Sequence, residues 1–280
     1  MSAPTTERDG RHDRTAQGFL RQGERPGDVL RGARTGIRYR HGRRGRCRPS
    51  AAAAARRCLT IDLCFGALLP TLARTRRVIA VELQGHGHGH TADIDREMTV
   101  PALSADVLAL LDELDTERAD FFGFSLGGLT ALQTAVAQPE RVGRLVIAST
   151  EYRPDGYYDE ILHPVQRWGS ARLPSEADFQ EMADAYAATA PDPDHFQQLL
   201  AKCTATAHSH PGWSDEELRA LAAPTLMVIG DTDFVRIEHA ADVLRLIPNA
   251  ELAVLPATTH LQVTRRTTAL VPMLEAFLGR

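Results

Sequence analysis

The stretch from Ala119 to Gly128 reads Ala-Asp-Phe-Phe-Gly-Phe-Ser-Leu-Gly-Gly, and it restricts the architecture more tightly than any other part of the chain. Its first half is a compact apolar run of strand character. Its second half opens a helical pattern that continues from Leu126 to Gln138. Ser125 stands at the join, with Gly123 and Gly127 two residues to either side. A strand-to-helix turn this sharp drives its central residue into a strained backbone conformation, and the residues two away must be small or their side chains collide. The same turn exposes the serine hydroxyl at the carboxyl edge of a sheet and aims the first N–H groups of the helix at it. A serine that merely capped a helix would need no glycine on both sides, so the pattern favours a nucleophile.

Strands and helices alternate around this turn. Leu59 to Leu72 is apolar on one face and predicts a helix; Arg77 to Leu83 predicts a buried strand. Val100 to Leu114 is an amphipathic helix with Leu103, Val107, Leu110, Leu111 and Leu114 inward, and Arg144 to Ser149 is the next strand. The alternation resumes with a strand over Pro224 to Gly230, a helix from Glu238 to Leu246, a strand over Leu252 to Pro256 and a closing helix from Thr267 to Leu278. This order predicts an α/β fold with a doubly wound, mostly parallel sheet. Residues 151–217 break the alternation: they are acidic, helical in pattern, jointed by prolines and rich in tyrosine and tryptophan. They are expected to form an inserted helical lid on a core made of residues 58–150 and 218–280.

Serine needs a base, and the base needs an orienting acid. His260 lies directly after the last predicted strand, and Asp233 directly after the strand before it, in Gly230-Asp231-Thr232-Asp233. All three candidates sit at carboxyl ends of strands, where open α/β sheets place their sites. Asp231 and Glu151 are the alternative acids, the latter following the strand that ends near Ser149.

With these pieces in order, the chain resembles the α/β-hydrolase superfamily over about residues 59–280, through VIAVELQGHG, FFGFSLGG, PTLMVIGDTD and the histidine after AVLP. Small esterases, enol-lactone hydrolases and cofactor-free perhydrolases are the nearest likeness. The resemblance implies a serine hydrolase that cleaves a small carboxylic ester or lactone through an acyl-enzyme, without cofactor. A perhydrolase of the same architecture is the alternative. It favours Asp233 over Asp231 as the acid and assigns one oxyanion donor to the backbone N–H of Leu126. The second donor should follow a His-Gly motif that aligns near Arg57, where no His-Gly stands. Phe124, Tyr152 and Trp168 are the candidate substrate-binding residues.

The run Gly85-His86-Gly87-His88-Gly89-His90 invites a metal. A glycine-rich turn lengthened by one Gly-His unit accounts for it more simply, so no metal is expected. Cys47, Cys58, Cys64 and Cys203 show no ligand spacing, and the amino terminus has no apolar centre like that of a secretion signal. A cytoplasmic protein acting on a small molecule, with neither nucleic-acid nor membrane partner, is the expectation.

Composition divides the chain sharply. Residues 1–57 hold 15 arginines, no lysine and 5 acidic residues, whereas residues 58–280 hold 17 basic and 31 acidic ones. The first segment shows no sustained period, and Ala51 to Ala55 favours helix. It reads as a disordered tail or an out-of-frame translation, with a basic arm for nucleic acid or an acidic surface as the remaining alternative, and it leaves the amino-terminal strands missing and the sheet open between the strands at Val78 and Phe121. A further alternative is an inactive product, because the amino-terminal strands and the His-Gly motif are absent, with the missing strands weighing more than the missing oxyanion donor.

Overall fold

A computed structural model describes residues 29–31, 38–40, 50–54, 59–86, 93–163 and 170–280. Its centre is a six-stranded, wholly parallel sheet in the order β4-β3-β5-β6-β7-β8. The strands are β3 (Ser50–Ala54), β4 (Val78–Glu82), β5 (Ala119–Phe124), β6 (Val142–Ala148), β7 (Thr225–Thr232) and β8 (Ala250–Thr259). Two further strands, β1 (Val29–Arg31) and β2 (Arg38–Arg40), form a separate antiparallel pair. All of β4 and β5 is buried, as expected of parallel strands covered on both faces.

Helices follow the strands as the apolar periodicity predicts. α3 (Val100–Glu113) buries Leu103, Val107, Leu110 and Leu111 and is capped by Thr99, whose Oγ1 accepts from the Ala102 N–H at 3.2 Å. α4 (Leu126–Ala137), α9 (Ile237–Leu246) and α10 (Thr267–Leu278) also fall where the pattern puts them. The expected helix over residues 59–72 is two short ones instead, α1 (Ile61–Phe65) and α2 (Leu69–Leu72). Pro70 explains the break: proline is tolerated in a first turn but clashes in a helix interior, so the helix has to restart at Leu69.

The gap expected in the middle of the sheet is filled. β3 runs parallel between β4 and β5, with Ala52 opposite Ala80 on one side and Phe122 on the other. Alanine's helical preference is weak beside two ladders that satisfy the backbone groups on both edges of a strand, so tertiary context prevails. Three strands therefore lie in the segment that reads as strandless. The reading of residues 1–57 as disordered or out of frame otherwise falls on residues outside those described.

Between β6 and β7 the described residues carry α5 (Asp159–Leu162), α6 (Glu176–Ala187), α7 (Phe196–Ser209) and α8 (Asp215–Arg219). This insertion shares the main core through Met182, Tyr186, Phe196, Leu199 and Cys203. α7 is docked on the segment after β4: Thr206 Oγ1 donates to the Met98 carbonyl at 2.8 Å, Cys203 Sγ lies 3.7 Å from His86 Nε2, and Lys202 and His195 both reach Asp93. Among the described residues no helix is long and apolar enough to cross a membrane.

Candidate active site

Ser125 sits between β5 and α4 with φ 54° and ψ −119°, a conformation that non-glycine residues rarely adopt. The glycines explain how the chain reaches it. A Cβ on Gly123 would strike the carbonyl of Gly127, and one on Gly128 would strike the side chain of Thr150. The first turn of α4 thereby folds directly onto the end of β5. Ser125 N–H donates to the Ala148 carbonyl at 2.9 Å, which ties the turn to β6. Leu126 opens the helix, so its N–H has no acceptor within it.

Two loops converge on the hydroxyl. His260 follows β8, and its Nε2 stands 3.1 Å from Ser125 Oγ. The other ring nitrogen, Nδ1, is hydrogen-bonded to Asp233 Oδ1. Because an ionised carboxylate only accepts, that contact puts the proton of neutral His260 on Nδ1 and leaves the Nε2 lone pair facing the serine. Phe234 lies flat against the imidazole, its ring centre 3.9 Å away and its plane tilted by 9°. Phe124 closes another side at 5.2 Å. Asp233 and His260 are buried, and Ser125 keeps 8% of its surface exposed.

Asp233 has a complete set of donors. Oδ1 also accepts the Phe234 N–H at 2.6 Å, and Oδ2 accepts Ser149 Oγ–H at 2.5 Å and the Gly230 N–H at 3.2 Å. Burial pushes the carboxyl pKa upward. The charge of His260, with the hydrogen bonds from His260, Ser149 and Gly230, outweighs that and holds it below the ordinary value. Ser149 went unnoticed in the sequence, although it is the residue directly after β6 at the sheet's carboxyl edge. It too has positive φ, at 53°, which a plain Ala-Ser-Thr sequence does not announce.

The alternative acids occupy other places. The Asp231 carboxylate accepts the N–H groups of Ala257 at 2.8 Å and Thr258 at 3.0 Å, bonds that lower its pKa and pin the irregular end of β8 ahead of His260. Ala257 takes φ 49° there, and a Cβ on Gly230 would strike the Thr258 carbonyl, so Gly230 is what lets the two strands close up. Glu151 is buried beyond β6. Tyr152 stacks on His239 at 4.3 Å and bonds to Arg153, commitments that turn its ring toward α9. Trp168, the loop from Gly87 to His90 and Arg57, near which the second oxyanion donor was expected, lie outside the described residues. Among the described residues no three His, Cys, Asp or Glu side chains cluster to hold a metal.

A sequence profile described as the alpha/beta hydrolase fold matches residues 53–214. Among characterised proteins, 3-oxoadipate enol-lactonase 1 of Acinetobacter baylyi is 28% identical over 56% of this chain and 61% of its own length. The 2-hydroxymuconate semialdehyde hydrolase of Pseudomonas sp. strain CF600 is 31% identical over 56% of this chain and 52% of its own. The chain thus spans about 52–61% of the length of these relatives. A crystal structure of a hydrolase from Pseudomonas aeruginosa PA01 superimposes with a TM-score of 0.65 at 25% identity, over 87% of this chain and 94% of that one.

Proposed function

The chain belongs to the α/β hydrolase fold family, and from that premise we propose that it is a serine hydrolase of small carboxylic esters or lactones, with Ser125 as nucleophile, His260 as base and Asp233 as orienting acid. The observation that carries the proposal is the continuous line of contacts from Ser125 Oγ through the imidazole to a buried, multiply bonded carboxylate. Oγ attacks the carbonyl carbon while Nε2 takes its proton. Asp233 stays ionised and stabilises the imidazolium. The tetrahedral oxyanion forms beside the Leu126 N–H, a donor fixed at the start of α4 before the reaction begins. His260 returns the proton to the leaving alcohol, and water then enters by the same base to release the acid. A lactone follows the same course, except that its leaving alcohol remains tethered to the acyl group.

The enol-lactonase among the relatives supports this substrate class. The relative named as a 2-hydroxymuconate semialdehyde hydrolase favours a second reading, a compound of that kind as the substrate of the same three residues. Hydrolysis assays with p-nitrophenyl acetate, with an enol-lactone and with 2-hydroxymuconate semialdehyde separate the two. A fluorophosphonate probe is expected to label Ser125 stoichiometrically, and Ser125→Ala to lower kcat by about 10⁶-fold with the fold retained. Folded protein that hydrolyses none of the three and leaves Ser125 unlabelled would sink both readings.

A further inference from the structure

The turn that carries Asp233 is gripped by the helical insertion as well as by the sheet. Arg172, between α5 and α6, donates from Nη1 to the main-chain carbonyls of Asp231 at 3.2 Å and Asp233 at 3.0 Å. Its guanidinium lies 3.7 Å over the ring of Tyr158, and its Nε stands 3.2 Å from Glu160 Oε1. The Glu160 carboxylate is itself steadied by Ser170 Oγ–H at 3.0 Å. A planar cation held by a ring face, a carboxylate and two carbonyls has little freedom left.

The same leg of the insertion runs on along the turn. Tyr158 N–H donates to the Phe234 carbonyl at 3.0 Å, Tyr157 forms an antiparallel bridge with Val235, and Arg236 N–H donates to the Gly156 carbonyl at 2.9 Å. Tyr157, Ile161, Phe234 and Val235 share a small apolar cluster of their own. From the carbonyl of Asp233 the chain leads in one direction to the carboxylate under His260 Nδ1, and in the other to the Phe234 ring on the imidazole face. Two of the contacts that orient His260 therefore come from consecutive residues whose backbone the insertion holds.

We propose that Arg172 is a positioning residue: by binding the carbonyls of Asp231 and Asp233 it keeps Asp233 and Phe234 in register with His260, and so makes the first leg of the insertion part of the acid–base machinery. The proposal rests on the reading of Ser125, His260 and Asp233 given above. The charged and titratable groups around the turn include Asp231, Asp233, Arg236 and His260 on the core side and Glu160, Tyr157 and Tyr158 on the insertion side. Arg172 thus sets carbonyl dipoles and backbone position; it does not itself contact the reacting atoms.

The test compares Arg172→Ala and Arg172→Lys with the unaltered chain and with Ser125→Ala, measuring kcat and KM for p-nitrophenyl acetate across pH. A carboxylate that drifts from Nδ1 stabilises the imidazolium less. Arg172→Ala is therefore expected to lower kcat about tenfold, with KM little changed. The acid limb of kcat/KM should move to lower pH. Lysine supplies one ammonium to the carbonyls but cannot lie flat on Tyr158 while pairing with Glu160, so Arg172→Lys should show both effects at smaller size. If the alanine variant does not fold, the lysine variant decides the matter by the same limb. An unchanged acid limb overturns the proposal, as does a rise in KM at constant kcat, which would place Arg172 in substrate binding. Activity surviving in Ser125→Ala would overturn the underlying reading instead, so the two failures are distinguishable.

Discussion

Single residues set the quality of this site, and Ser149 shows how much a residue without chemistry of its own can contribute. Its hydroxyl is fully buried and donates to the Asp233 oxygen that faces away from His260. Ser149→Ala leaves that oxygen with only the longer bond from Gly230 N–H. Losing a hydrogen bond to a buried charge should cost about 1.5–3 kcal/mol of stability at pH 7, measurable by urea unfolding. The sign with pH follows from the depressed carboxyl: its contribution is present above the unfolded-state pKa and is lost as pH falls through the folded one. The variant should therefore lose the most at neutral pH and converge on the unaltered chain in acid. A pH-independent difference would mean that Ser149 acts through packing instead. That Ser125, Asp233 and His260 would converge was legible in advance, because strand ends of an open α/β sheet bring such residues to one edge. The part of Ser149 was not, because serine after a strand is common and its rotation into positive φ is fixed by the packed surroundings.

At the scale of elements, the alternating pattern located the core helices and strands from β4 onward, outside the insertion, to within a few residues, since an inward stripe or a buried run leaves its period in the sequence. The joints between insertion and core left no such trace. One of them is His239 on α9, whose Nε2 accepts the Tyr152 N–H at 3.2 Å and whose ring fills the space that a side chain on Gly156 would need. Burial, chiefly, lowers its pKa from 6.5 to about 4. Neutral His239 is thus the native form, and the unfolded chain binds the proton more readily. The resulting stability, about 3 kcal/mol as an upper figure, is complete above pH 6.5, declines as pH falls toward 4 and changes no further below that. His239→Gln keeps an acceptor for the Tyr152 N–H but cannot titrate. Urea unfolding of both proteins at pH 7, 5.5 and 4.5 should show the stability of the unaltered chain falling more steeply, with the two curves approaching each other in acid. Parallel curves would contradict the neutral histidine.

For the whole molecule the instructive residues are the alanines of β3. They close the arginine-rich segment without any apolar, branched run that would mark a strand, and in isolation they favour a helix. A strand inside a parallel sheet, however, needs neither alternation nor branched side chains when its neighbours offer a ladder on each edge. Five residues, Ser50–Ala54, thereby join β4 to the strand that leads into Ser125. Without them the facing edges of β4 and β5 would each present a row of unpaired backbone groups inside the core, against a total stability of about 5–15 kcal/mol for a typical domain. The composition boundary near Leu59 is accordingly not a folding boundary. A chain starting at Leu59, which keeps Ser125, Asp233 and His260, is expected to lose cooperative unfolding and to elute as aggregate on gel filtration, while the full chain retains both a sharp transition and labelling of Ser125 by the fluorophosphonate. If the shortened chain were monomeric, unfolded cooperatively and labelled at the same rate, β3 would not be integral to the sheet. The site would then owe its geometry to β5 through β8 alone.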